Sequence, residues 1–311
     1  VLVGYGVRNI TFVDNGRVSL SNIVRQSLFT VNDISSTGEG KFKAEAAREG
    51  LLAIAPYLNV AAEVMKIPMP GHFATNEALV DEKAALDRLK RLIRENDVVF
   101  NVVDSREARY FPTLIASAYN RRSISVGIGY DSYVVVAHGF KNAEFLKSLH
   151  EPSDQGSISS HVENDNGCFF CSDYLPPSNS LNNRAMDQQC TVSRPGVSMI
   201  ASGMAVEVMV NSLHGGKTGH EAHFIRGSCG SVFETSEYVN SRFKHCVACS
   251  DGVLAEFMTN RESFVEKALN DSNMLSRFTG FEVNDNQEMT EFTDENGVII
   301  IGFPDELTDL P

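Results

Sequence analysis

Five of the six cysteines fall into one pattern. Cys168 and Cys171 form one C-x-x-C pair, Cys246 and Cys249 form a second, and Cys190 stands alone between them. Each pair can bite a metal ion through two thiolates, and together they close a tetrahedral four-sulfur zinc site with no open position. With 74 residues between Cys171 and Cys246, such a site is a clasp joining distant segments rather than a small finger. The competing reading is two unrelated redox-type or buried pairs. Cys190 sits about a turn before Pro195, a favoured first residue of a helix. The positive end of that helix and Arg194 would both favour a nucleophilic thiolate. On position alone an inert buried cysteine fits nearly as well. Cys229, in Gly227-Ser228-Cys229-Gly230, has no such setting.

A second cluster runs from Asp14 to Gln26. A carboxylate just after a strand can accept both hydroxyls of a ribose. If Asn22 opens a helical turn, Arg25 and Gln26 share its face, and an Arg there can fork onto phosphate oxygens. A solvated turn capped by Ser21 is the equal alternative. Lys43 heads the next helix and could add charge on a phosphate. Asp104, Arg106 and Arg109 come just after an apolar strand. Asp104 could hold Mg²⁺ against a triphosphate, or simply cap the segment Ser105–Tyr110.

The elements that must position these residues alternate. Asn9–Val13 reads as a strand, about 43–55 as a helix, and 59–65 as the next strand. In about 77–95, Leu79, Leu86, Leu89, Leu92 and Ile93 recur at helical spacing. Val98–Val103 is a nearly continuous apolar strand, and 124–126 and 133–136 are further strand candidates. This alternation predicts an α/β fold, a doubly wound and mostly parallel sheet, with ligands at the carboxyl ends of its strands. Residues 148–166 read as a polar surface loop, 197–213 as a buried helix, and 263–278 as another helix. We divide the chain into a main domain, 1–280, and an acidic tail, 281–311, in which Val298–Ile301 could pair as an edge strand.

The 311 residues carry a net charge of −13, and residues 281–311 hold nine acidic side chains and no Lys or Arg. The body is therefore nearly balanced, and nothing favours nucleic-acid binding. No apolar run approaches the ~20 residues of a membrane helix, so no membrane span is expected. The start lacks a signal peptide and an initiator Met and reads as the middle of a fold, that is, as a fragment. Paired cysteines without a secretion signal favour a reducing compartment, and we expect a cytoplasmic location.

These motifs converge on a family. Ile10-Thr11-Phe12-Val13-Asp14-Asn15-Gly16, Ser21-Asn22 and Val24-Arg25-Gln26 resemble the nucleotide site of the ubiquitin-activating superfamily. Within it, Val103–Arg109, Gly129-Tyr130-Asp131-Ser132-Tyr133, Asp187–Gly196 around Cys190, Ile225-Arg226-Gly227 and the two C-x-x-C pairs resemble the autophagy-related protein 7 family. The resemblance implies a Rossmann-like adenylation domain working as a homodimer, without the family's N-terminal domain. It implies that Asp14 binds ribose, that Asn22, Arg25 and Gln26 contact ATP, that Lys43 meets phosphate, that Asp104 is linked to Mg²⁺, and that Arg109 aligns with a recurrent Arg. Cys190 matches the thioester-forming cysteine, and Cys168, Cys171, Cys246 and Cys249 match zinc ligands. The expected cofactors are ATP, Mg²⁺ and Zn²⁺. The expected partners are modifiers of the autophagy-related protein 8 and 12 types and their conjugating enzymes, with the acidic tail a candidate modifier-binding segment.

The family's glycine-rich phosphate loop is missing. It should precede Asp14 by ~20 residues, which places it upstream of Val1, so the chain alone is expected to bind ATP poorly. Two rivals remain: a sulfur-carrier adenylyltransferase, disfavoured by Cys190, and a catalytically impaired zinc scaffold that binds a modifier or conjugating enzyme. A nicotinamide dehydrogenase would leave Asn22, Arg25, Gln26 and the cysteines without purpose.

Overall fold

Strand β1 (Asn9–Val13) pairs in parallel with β2 (Asn59–Glu63), Asn9 opposite Asn59 and Val13 opposite Glu63. The structure is a computed structural model that describes residues 1–172, 176–177, 179, 193–214, 224–230, 233–279, 290–293 and 299–302. Between β1 and β2 run a single helical turn, α1 (Leu20–Ile23), and the crossover helix α2 (Lys43–Ile54), which buries Ala44, Ala46, Ala47 and Leu51. Helix α3 (Asn76–Glu95) comes next, with the Thr75 hydroxyl accepting from Ala78 N at 3.4 Å. Its leucine stripe packs as the spacing predicts: Leu79, Leu86, Leu89 and Ile93 are all buried.

Strand β3 (Val98–Asn101) opens a five-stranded sheet and is followed by helix α4 (Tyr110–Ala118) and the strands β4 (Arg122–Ile128) and β5 (Ser132–Ala137). After α5 (Ala143–Leu149) and α6 (Pro195–Leu213) come β6 (Phe224–Cys229) and β7 (Phe233–Tyr238), then α7 (Asp251–Thr259) and α8 (Arg261–Asn270). Finally β8 (Thr290–Thr293) and β9 (Ile299–Gly302) form an antiparallel pair, the partner for the edge strand expected in the tail.

The expectation of a mostly parallel sheet needs correcting. Among the described strands only β1–β2 and β3–β4 are parallel; β4–β5, β5–β6 and β6–β7 are antiparallel. The reason is chain length, because only Gly129, Tyr130 and Asp131 join β4 to β5, far too few for a crossover. Helix α6 also differs from the buried helix expected. It lies on β4 and β5 through Val197, Ala201, Ala205, Val206, Val208 and Met209, while Met199 and Ile200 face solvent. By length and composition alone it could cross a membrane, contrary to the sequence reading, but its packed face is that of a helix on a sheet. The helix expected over 263–278 breaks at Asp271 into α8 and a 3₁₀ segment, Ser272–Phe278.

The core has two main parts. One groups α3, α4, α7 and α8 around the four paired cysteines; the other lies between the β4–β6 face and α6. The loop at 148–166 is polar as expected, yet it is stapled down. Asn120, the one described non-glycine residue with positive φ, donates through Nδ2 to the carbonyls of Lys141 and Ser159, both at 3.2 Å.

Gly50 makes the packing of α2 testable. In an open helix, Gly→Ala gains about 1 kcal/mol, but here a Cβ would collide with the Leu28 carbonyl oxygen. A main-chain atom cannot rotate away, so Gly50→Ala should instead lose about 1–3 kcal/mol, read from urea unfolding. A gain would show that α2 is not held against the Leu28 segment.

Candidate active site and cysteine centre

Asp14 leaves the carboxyl end of β1 and turns at once, its Oδ1 accepting from Gly16 N at 2.7 Å. Gly16 O in turn accepts from Lys43 N at 2.8 Å, which pins the first residue of α2 beside Asp14. A side chain at Gly16 would begin 3.0 Å from Asp14 Oδ1 and 3.5 Å from Lys43 Cδ and Cε. The carboxylate and the lysine stem therefore flank one small space that glycine keeps clear. The positive end of the α2 dipole adds favourable potential for an anion there. Such a corner can accept sugar hydroxyls on one side and anionic oxygens on the other.

The neighbouring turn is built differently from the expectation. The helix opens at Leu20 after Ser19, and Asn22 is its third residue rather than its start. Asn22 is buried, and its Oδ1 accepts from Ser19 N at 2.9 Å. Its carbonyl receives the amides of Arg25 at 3.1 Å and Gln26 at 2.8 Å. Arg25 is buried with Nη1 reaching Ser21 O at 3.3 Å, and Gln26 is half-buried. Asn22 thus shapes the turn that presents the next residues, a role its capping chemistry explains.

Asp104 lies three residues past β3 and is exposed, whereas Ser105, Glu107, Ala108, Arg109 and Tyr110 are all buried. Arg109 is committed to the main chain, with Nη1 donating to Asn101 O at 2.8 Å and Nη2 to Val126 O at 2.7 Å. Burial pulls its pKa down to about 10, while the Asp104 charge pulls it back up. Arg106 is likewise lowered to about 10 by burial, opposed by Cys246 and Cys168.

The four paired cysteines converge. All are buried, and their sulfurs lie within 4.8 Å of one another. Cys168 and Cys246 sulfurs are 3.6 Å apart, Cys171 and Cys249 3.4 Å, and Cys168 and Cys171 3.9 Å. A tetrahedron with metal–sulfur bonds of ~2.3 Å has edges of ~3.8 Å, so the set fits a divalent ion such as zinc. Main-chain amides already point at the sulfurs: Phe170 N at Cys168 Sγ, 3.3 Å, and Ala248 N at Cys246 Sγ, 3.4 Å. Burial pushes the Cys168 and Cys246 thiols up, while neighbouring thiols donating to it push Cys171 down. Four thiolates this close need a cation among them, and Arg106 offsets part of the remaining negative charge.

Cys190 lies outside the described residues. The segment after it runs as expected in one respect, since Pro195 starts α6. Arg194, however, is engaged on the fold. Its Nη1 donates to Cys229 O at 2.7 Å, and its guanidinium sits 5.3 Å from the Tyr130 ring centre. Two motifs of the sequence reading meet on facing strands. Tyr133 of β5 is opposite Gly227 of β6, and a Cβ at Gly227 would enter the Tyr133 ring. That ring is fixed by a 2.9 Å hydrogen bond between its hydroxyl and Thr235. The sequence reading missed Tyr110, Phe169, Phe170 and Val247 as neighbours of the site; the aromatic filling of the CFFC pair was the available signal.

The family model described as the ThiF family matches residues 1–227. The chain belongs to the ThiF family. Within it, the chain is 36% identical over 306 residues to the ubiquitin-like modifier-activating enzyme atg7 of Dictyostelium discoideum, covering 93% of this chain and 43% of that protein. It is 38% identical over 289 residues to ATG7 of Saccharomyces cerevisiae strain S288c, covering 91% and 42%. The resemblance to the adenylation part of the autophagy-related protein 7 family is thereby upheld, and the chain spans less than half the length of these relatives. Among solved structures, Escherichia coli MccB shares the ThiF-type fold, with a TM-score of 0.52 at 16% identity over 80% of this chain and 60% of that one. The MccB crystal structure with ATP also scores 0.52.

The cysteine geometry predicts about one zinc per chain by atomic absorption, lost on Cys168→Ser together with a clear drop in thermal midpoint. A Cys168→Ser protein with unchanged metal content would refute the four-sulfur site.

Proposed function

We propose that this chain is the nucleotide-handling and thiol-bearing part of an enzyme that activates ubiquitin-like autophagy modifiers. The observation that carries the reading is the corner where Asp14, Gly16 and Lys43 meet at the end of β1, in a chain related to named modifier-activating enzymes. In this reading Asp14 accepts the ribose hydroxyls of ATP, Lys43 and Arg25 meet its phosphates, and Asn22 and Gln26 shape and line the turn beside them. Asp104, exposed past β3, would hold Mg²⁺, which when bound neutralises charge on the triphosphate. Arg109, with both terminal nitrogens on main-chain carbonyls, supports the site from within.

The chemistry has two displacements. A carboxylate oxygen of the modifier's C-terminal glycine attacks the α-phosphorus, and pyrophosphate leaves with the bonding electron pair. Lys43 stabilises the charge developing on the phosphate oxygens. The Cys190 thiolate then attacks the acyl carbon, AMP leaves, and a thioester forms. A cysteine thiolate of the conjugating enzyme takes the acyl group and frees Cys190. We place this in a homodimer in the reducing cytoplasm, with modifiers of the autophagy-related protein 8 and 12 types as substrates. The acidic tail is our candidate for binding the modifier.

The deciding experiment incubates the full-length protein with ATP, Mg²⁺ and a modifier of the autophagy-related protein 8 type. A reductant-sensitive adduct should form, and Cys190→Ser should replace it with a hydroxide-sensitive ester. An adduct that survives reductant with Cys190 intact would sink the thioester step. Separately, Lys43→Ala should slow ATP–pyrophosphate exchange by about 10²–10³-fold with little change in stability. Exchange at the unaltered rate would remove Lys43 from the phosphate site.

A further inference from the structure

The residues lying between the paired cysteines are the ones that touch the Asp104 segment. Between Cys168 and Cys171 stand Phe169 and Phe170. The Arg109 guanidinium lies 4.9 Å from the Phe169 ring centre, and the Arg106 guanidinium 5.2 Å from that of Phe170. Tyr110 meets Phe170 edge to face at 5.8 Å. Between Cys246 and Cys249 stands Val247, whose carbonyl accepts the Tyr110 hydroxyl at 2.9 Å. Both knuckles of the clasp therefore bear on one short stretch, at 106, 109 and 110.

The same stretch is tied on its other sides. Arg109 bridges the carbonyls of Asn101 and Val126 on the neighbouring strands β3 and β4, and Asn101 Nδ2 returns a bond to Arg109 O at 3.1 Å. Glu107, fully buried, meets His72 at 3.3 Å. Five of the six residues after Asp104 are buried in this framework, and Asp104 itself is left facing solvent.

We infer that the cysteine centre is a support that positions the Asp104 loop, with Arg109 as the positioning residue that transmits knuckle geometry to the strand ends. The ion does no chemistry on the substrate in this scheme. It fixes the two knuckles relative to one another, the knuckles fix Arg106, Arg109 and Tyr110, and these fix the direction of Asp104. The inference rests on the proposed function for the meaning of Asp104, but its mechanical part does not.

The test uses the full-length protein and two variants that keep all four cysteines. Phe169→Leu shortens a half-buried side chain, and Arg109→Lys keeps charge while losing the fork across two carbonyls. Three quantities are read: zinc per chain, amide hydrogen exchange of residues 104–110, and the Mg²⁺ concentration giving half-maximal ATP–pyrophosphate exchange. The expected result is metal retained, faster amide exchange in 104–110 and not in 43–54, and a half-maximal Mg²⁺ raised on the order of fivefold with the saturating rate kept. Unchanged exchange in 104–110, or a rate loss at unchanged half-maximal Mg²⁺, would overturn the inference in favour of a merely structural clasp. Should Phe169→Leu shed its metal, Arg109→Lys decides alone, because both knuckles are intact in it. Absence of pyrophosphate exchange in the unaltered protein would instead defeat the proposed function, and the amide-exchange arm would still judge the positioning claim.

Discussion

Four sulfurs drawn within 4.8 Å of one another are the constraint on which much of this fold hangs. They bring residues 168–171 against 246–249 inside the same core that holds α3, α4, α7 and α8. Helix α4 shows the dependence. All nine of its residues are buried, and the hydroxyl of its first residue, Tyr110, would be costly to bury without the Val247 carbonyl. The clasp thus supplies the polar partner that lets a fully buried helix sit beneath the sheet. Arg106 belongs to the same arrangement, a cation set near an anionic cluster.

The corner at the end of β1 is built on a different economy. Asp14, Gly16 and Lys43 are joined by main-chain hydrogen bonds within a βα turn, so the corner is set by local geometry and needs little from the core beneath. Asp104 is the opposite case, an exposed carboxylate whose direction is dictated by buried neighbours. The two places thus contrast, one specified locally and one remotely.

Where sequence alone sufficed, the reason was periodicity or ligand spacing. The α3 stripe of Leu79, Leu86, Leu89 and Ile93 declares a half-buried helix, and two C-x-x-C pairs declare a four-sulfur site. Pro195 marked the start of α6 correctly. Helix α4 was not legible because Tyr110–Ala118 is buried on every side and so carries no clear period. Strand β7 escaped because Phe233–Tyr238 is polar and largely exposed on both faces, leaving no alternation to read. The mixed sheet was in principle readable from the three residues joining β4 to β5. Asn22 was misplaced because a residue that caps from the third position looks, in sequence, like one that caps from the start. Arg109 enters the sequence reading only through its alignment with a recurrent Arg, and nothing in its sequence context foretells the two carbonyls that hold it.

The span enclosed by the clasp also bears on how the chain reaches this state. Strand β6 lies inside the enclosed segment and its partner β5 lies outside it, so pairing Ser132–Val136 with Phe224–Ser228 closes a long loop during folding. Bridging the two cysteine pairs first shortens that loop by roughly two-fifths, which eases closure entropy only modestly, by less than the ~0.6 kcal/mol of a halving. The larger effect is on order: a bridged chain has its sheet partners confined to one neighbourhood before any strand has paired, whereas an unbridged chain must find a non-local antiparallel register by search. Drawing the four sulfurs together early thus shortens the search that completes the sheet, a consequence of topology separate from the clasp's place in the finished fold.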